Sequence, residues 1–167
     1  MSQVVFLRAA NVGGHNTFRP SAVAREVGAV SIGAAGTFVL PSSVEVEALR
    51  AALPFEAQLF TCPGHELLAL AASDPFGAMD DGVRPFLTVM EAAPASSVTL
   101  PLERPEGAPW EVRIVALEGR YAMSLWLRRG ERILYPNAVV ERVLRVAATT
   151  RSWNTVGAIA RALEEIA

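Results

Sequence analysis

The side chains able to do chemistry in this chain gather in two short runs. Near the carboxyl end, Thr149-Thr150-Arg151-Ser152-Trp153-Asn154-Thr155 places hydroxyls, a guanidinium, an indole and an amide on consecutive positions. Read as a helix start capped by Thr149 or Thr150, the run offers a positive helix end with Arg151 and Asn154 beside it, which is how an anion pocket is assembled. Near the amino end, Asn11-Val12-Gly13-Gly14-His15-Asn16 follows an apolar strand and so presents backbone amides and short polar groups at a sheet end. The order of strand, glycine loop and helix is that of many phosphate cradles, yet neither G-x-G-x-x-G nor G-x-x-x-x-G-K-[ST] is present. The candidate ligand-binding residues are Asn11, Gly13, Gly14, His15, Asn16, Arg151, Trp153 and Asn154, on the condition that the two runs converge on one polar cleft. A purely structural reading competes with this one. In it the threonines cap, Arg151 pairs with a carboxylate, Asn154 ties a loop, Trp153 is core, and Gly13-Gly14 serves a tight turn.

Other constellations are thin. His15, His65 and Cys62 are too few for a zinc site of nitrogen and sulfur ligands, so no metal, no cofactor and no catalytic residue is assigned. The balance leans toward a non-enzyme, with an enzyme acting through His15 or Cys62 left as a third reading. Cys62 ends an apolar strand and reads as a buried inert thiol, and His65 as a capping or surface residue. Asp74, Asp80 and Asp81 read as solvated loop acids, and Arg128, Arg129 and Arg132 as a small positive patch on a solvated turn. Arg8, on an otherwise apolar strand, needs a buried acid or an uncovered sheet face.

These residues must be positioned by a mixed framework. Gln3 to Ala10 reads as a central strand. A helix follows from Pro20, whose fixed φ suits a first helical position, to Gly28. Val30 to Ile32 and Thr37 to Leu40 read as strands around a turn at Gly33 to Gly36. A helix capped by Ser42 or Ser43 runs to about Leu53, and Glu56 to Thr61 is a further strand. The order βαββαβ is that of the ferredoxin-like plait. A boundary near Pro63-Gly64 divides the chain into 1–62 and 63–167. Beyond it come a helix over His65 to Ser73, a strand over Arg84 to Glu91, and a proline-rich extended loop at 92–109 that is expected to be mobile and to hold at most one edge segment. A hairpin joins Glu111–Leu117 to Arg120–Leu127 through Glu118-Gly119. A short helix at Val139–Leu144 and a closing helix at 150–166 complete the chain, the latter packing through Trp153, Val156, Ala160, Leu163 and Ala167.

The 167 residues are 51% hydrophobic, enough for one compact unit or two small ones. A formal charge of −2 supplies no overall positive field, so nucleic acid is not an expected partner. All 15 basic residues are arginine, which reads as the codon bias of a GC-rich genome. The first residues show no signal-peptide pattern, no apolar run reaches the roughly 20 residues of a membrane span, and the lone cysteine suits a reducing compartment. Together these point to the cytoplasm.

The two runs also carry a resemblance. Leu7-Arg8-Ala9-Ala10-Asn11-Val12-Gly13-Gly14-His15-Asn16 resembles the leucine-arginine-glycine-isoleucine-asparagine-valine-glycine-glycine signature of the bacterial domain of unknown function 1697 family. Ala148 to Val156 is similar to that family's carboxyl-terminal signature almost residue for residue. The resemblance implies an α+β fold of two ferredoxin-like subdomains packed together with a closing helix, and no established activity. This chain departs from the pattern at Ala34-Ala35-Gly36-Thr37, where relatives read glutamine-serine-glycine-asparagine, and at His15, where lysine is common. The clustered donors themselves point to a non-catalytic domain for a small anionic or nucleotide-like ligand, with a module for protein interaction or self-association as the alternative and an enzyme of unknown reaction as the third choice.

Overall fold

A computed structural model describes residues 1–10, 17–107 and 109–167. The fold is α+β, with five helices and nine strands in two antiparallel sheets among the described residues. The chain forms two compact units, one of Met1–Ser73 with Asn154–Ala167 and one of Asp74–Trp153. The sequence places the boundary at Pro63-Gly64; here the helix after Pro63 and the closing helix both belong to the first unit.

The first unit runs β1 (Gln3–Leu7), α1 (Pro20–Val27), β2 (Val30–Ile32), β3 (Thr37–Leu40), α2 (Val46–Ala52), β4 (Leu59–Pro63) and α3 (Gly64–Ala72). Its sheet has the order β2-β3-β1-β4 with every pair antiparallel. Proline at the first position starts α1, and Gly28 at φ 81° ends it in the left-handed conformation that a side chain would resist. Val5, Leu7, Phe38 and Leu40 share the sheet face that buries Val23, Ala24 and Leu49 of the two helices. Val4, Phe6, Phe60 and Cys62 point to the other face and are also fully or nearly fully buried. Gly36, at φ 85°, lets its carbonyl accept from the Leu7 amide at 2.7 Å, and a Cβ there would lie 2.8 Å from that of Leu7. Neither Ser42 nor Ser43 caps α2. The amide of Val44 closes a turn onto the Pro41 carbonyl, so the helix starts later, at Val46, without a side-chain cap.

The second unit contains β5 (Arg84–Met90), β6 (Leu102–Arg104), β7 (Val112–Glu118), β8 (Tyr121–Trp126), α4 (Pro136–Leu144) and β9 (Ala148–Ser152), in the sheet order β6-β7-β8-β5-β9. The hairpin turn is Gly119-Arg120, one residue later than its sequence suggests, because Glu118 still pairs with Tyr121. The register shifts between Ile114 and Ala116, a bulge that bends β7. α4 covers one sheet face, where Val139, Val140 and Leu144 meet Met90, Val112, Ile114 and Ala122. The proline-rich stretch carries one edge strand, β6, as its composition suggests.

The largest departure lies at the end of the chain. Thr149, Thr150 and Arg151 do not open the closing helix; they form β9, paired with Val89, Thr88 and Leu87 of β5. The helix, α5 (Trp153–Ile166), begins after Ser152 and buries Val156, Ile159, Ala162 and Leu163 rather than Ala160 and Ala167. Two adjacent β-branched residues favour a strand, and here pairing with β5 outweighs their value as caps. None of the helices among the described residues is long and apolar enough to cross a membrane.

Candidate functional site

Alternation along β9 splits the carboxyl-terminal run between two sheet faces. Thr150 faces α4. Its hydroxyl donates to Asn137 Oδ1 at 2.8 Å and lies 2.7 Å from the Thr88 hydroxyl. A hydroxyl has one proton, so Thr88 must donate to Thr150. Asn137 Nδ2 then donates to Glu141 Oε1 at 3.0 Å, and Glu141 Oε2 accepts the Ala148 amide at 3.2 Å. Five groups from β5, β9 and α4 thus form one continuous chain that fixes the helix on the sheet. Asn137 and Glu141 stand four apart on α4, a spacing that marks them as neighbours on one helix face. Neither that pair nor Thr88 is among the candidates that sequence alone marks.

Arg151 and Thr149 face the other way. Arg151 is only 6% exposed, yet it carries a cation. One terminal nitrogen of its guanidinium donates to Thr149 Oγ1 at 2.6 Å and to the Thr150 carbonyl at 3.0 Å. Removal from water penalises the charged form and pulls its pKa well below the ordinary arginine value, to about 10. The group therefore remains protonated at neutral pH, at a cost of the order of 3 kcal/mol relative to a fully hydrated arginine. A positive, desolvated, two-point-anchored guanidinium is suited to holding an oxyanion, because its planar fork matches two oxygens at once.

The remaining candidates fall elsewhere. Trp153 is half-buried and packs edge-to-face on Phe76, with ring centroids 4.8 Å apart, as a packing residue does. Asn154 is exposed in the first turn of α5. Asn11, Gly13, Gly14, His15 and Asn16 lie outside the described residues. Arg8 is not on the central strand: β1 ends at Leu7, and the Arg8 amide donates to the Gln58 carbonyl. Cys62 is wholly buried whereas His65 is exposed, an arrangement that gives no support to a thiol-imidazole pair. Asp74 accepts the Gly77 amide in an exposed turn, and no group of three metal-ligating side chains occurs among the described residues. An open groove of about 490 Å³ lies in the second unit beside Leu102, Arg104 and Val143, and another of about 720 Å³ in the first beside Arg50 and Phe55. Neither is lined by a residue of the two signature runs.

No protein-family profile and no curated protein sequence matches the chain. Among solved structures it is similar to the conserved bacterial protein SP0830 from Streptococcus pneumoniae, with a TM-score of 0.62 and 16% identity over 97% of this chain and 98% of that one. At that identity the likeness concerns the fold alone.

Proposed function

We propose that this is a non-catalytic bacterial domain that binds a small anionic ligand, phosphate or nucleotide-like, through Arg151. The observation that carries the reading is the buried guanidinium of Arg151 anchored by Thr149. A cation so placed weakens the fold by its desolvation, and perturbed, partly enclosed charges are commonest where they bind something. We further propose that both units are ferredoxin-like plaits and that the chain belongs to the domain of unknown function 1697 family. The strand order supports the first proposal, since β9-β5-β8-β7 repeats β4-β1-β3-β2 with antiparallel neighbours throughout. The two signature runs support the second, together with Ala9 at φ 59°, a position where the signature has the glycine that such a backbone favours.

A thermal-shift titration with inorganic phosphate tests the binding reading. Wild type is stabilised in a saturable way and Arg151→Met is not. Absence of any shift at millimolar ligand overturns it. A second reading, that the carboxyl-terminal run is an internal clasp of an interaction module, is favoured by the Thr88, Thr150, Asn137 and Glu141 chain. It predicts concentration-dependent self-association in sedimentation, with no ligand effect.

A further inference from the structure

A different feature occupies the sheet face opposite Arg151. Arg84 pairs with Trp126 across β5 and β8, so Arg84, Phe86 and Trp126 point to one side while Leu87, the partner of Arg151, points to the other. The Trp126 ring is fixed from three directions. Phe86 meets it edge-on at 6.0 Å, its Nε1 donates to the Leu134 carbonyl at 2.7 Å, and Tyr135 stacks on it at 5.6 Å with an interplanar angle of 18°. Tyr135 is nevertheless 52% exposed. A large ring thus stands at the surface as the outermost plate of an immobilised stack. Arg84, across from Trp126, and Arg128 and Arg132, in the connection that joins Trp126 to Tyr135, are exposed and form no ion pair among the described residues, while Arg129 Nε ties the same connection to the Trp110 carbonyl at 2.7 Å. Glu131 is the one acid between Trp126 and Tyr135.

We propose that this platform is a second binding site, distinct from Arg151, for a ligand in which an aromatic base is joined to phosphate. The base stacks on Tyr135, and Arg84, Arg128 and Arg132 meet the phosphate. Stacking on a ring already held in place loses little freedom on binding, and unpaired arginines need shed no internal carboxylate to reach a phosphate. The chain's formal charge of −2 favours a short ligand over a long polyanion. The same chemistry is presented by a free nucleotide and by the end of a single strand.

Equilibrium titration with thymidine monophosphate, a short oligothymidylate and inorganic phosphate tests the site. Wild type binds the nucleotide, Tyr135→Ala weakens it by about tenfold or more, and Arg84→Ala with Arg132→Ala weakens it and flattens the salt dependence. Arg151→Met leaves this affinity unchanged, so loss of the Arg151 reading does not disturb it. Tighter binding of the oligomer than of the mononucleotide supports the proposal with a single strand as the source, and equal binding supports it with a free nucleotide. Failure of both to bind at millimolar concentration overturns it, as does a folded Tyr135→Ala variant with wild-type affinity, or inorganic phosphate competing as well as the nucleotide.

Discussion

The two units share a strand order and differ in what fills the first crossover. In the first unit both crossovers are helices, α1 and α2, and the buried groups of its sheet are apolar apart from Thr37. In the second, the passage from β5 to β7 is the proline-rich segment with β6, and α4 covers one face of the sheet. That sheet buries Thr88, Ser124, Thr149 and Arg151. Ser124 Oγ has no hydrogen-bond partner among the described residues. A sheet packed by two regular helices gains stability from apolar contact, whereas the one that departs from the pattern retains polar groups that cost stability. The candidate chemistry lies in the second.

This contrast can be broken most forcefully in the first unit. Phe38→Ala empties a fully buried position between the sheet and the helices and should cost about 3–5 kcal/mol by denaturant unfolding. A loss below about 1 kcal/mol would mean that the first unit does not rest on apolar packing.

Arg151→Met should behave oppositely, with stability unchanged or raised by up to about 3 kcal/mol at neutral pH. The folded pKa of about 10 lies well below that of the unfolded arginine, so the folded state sheds its proton first as pH rises. The burial penalty is therefore complete below about pH 10 and is relieved progressively as pH rises above it. The advantage of the variant should shrink across that window in thermal melts, and a constant difference would contradict a buried charge.

Thr150→Val and Ser124→Ala sharpen the same contrast within the second unit. The first orphans Thr88 and Asn137 and should cost about 1–3 kcal/mol, with less than additive loss on combination with Thr88→Val. The second deletes an unpartnered hydroxyl and should stabilise by about 1 kcal/mol. Equal destabilisation by both would erase the distinction between a satisfied network and an unsatisfied group. Smallest of all, Ala9→Gly should stabilise the first unit by about 1 kcal/mol by relieving the φ of 59°.

Much of this architecture was readable in the chain. Pro20 and Gly28 bracket α1, the alternation of Tyr121, Met123 and Leu125 marks β8, and the prolines confine the 92–109 stretch to a single short strand. What misled was residues with two uses. Thr149 and Thr150 suit both a helix cap and a strand, and only pairing with β5, distant in sequence, decides between them. Ser42 and Ser43 had the right chemistry for capping, but the turn from Pro41 moved the helix start past them. Arg151 was identifiable as a site candidate from its neighbours, although for a reason the fold replaces: it is a buried strand cation, not a flank of a helix end. The role of Asn137 with Glu141 depends on a partner, Thr150, in another element.

The most direct test is an NMR titration of arginine Nε–Hε resonances with inorganic phosphate, the Arg151 signal being assigned by its absence in Arg151→Met. This signal should shift in a saturable manner at millimolar phosphate or below, while those of Arg25 and Arg161 stay in place. An Arg151 resonance that does not move, in protein that remains folded throughout, would contradict it.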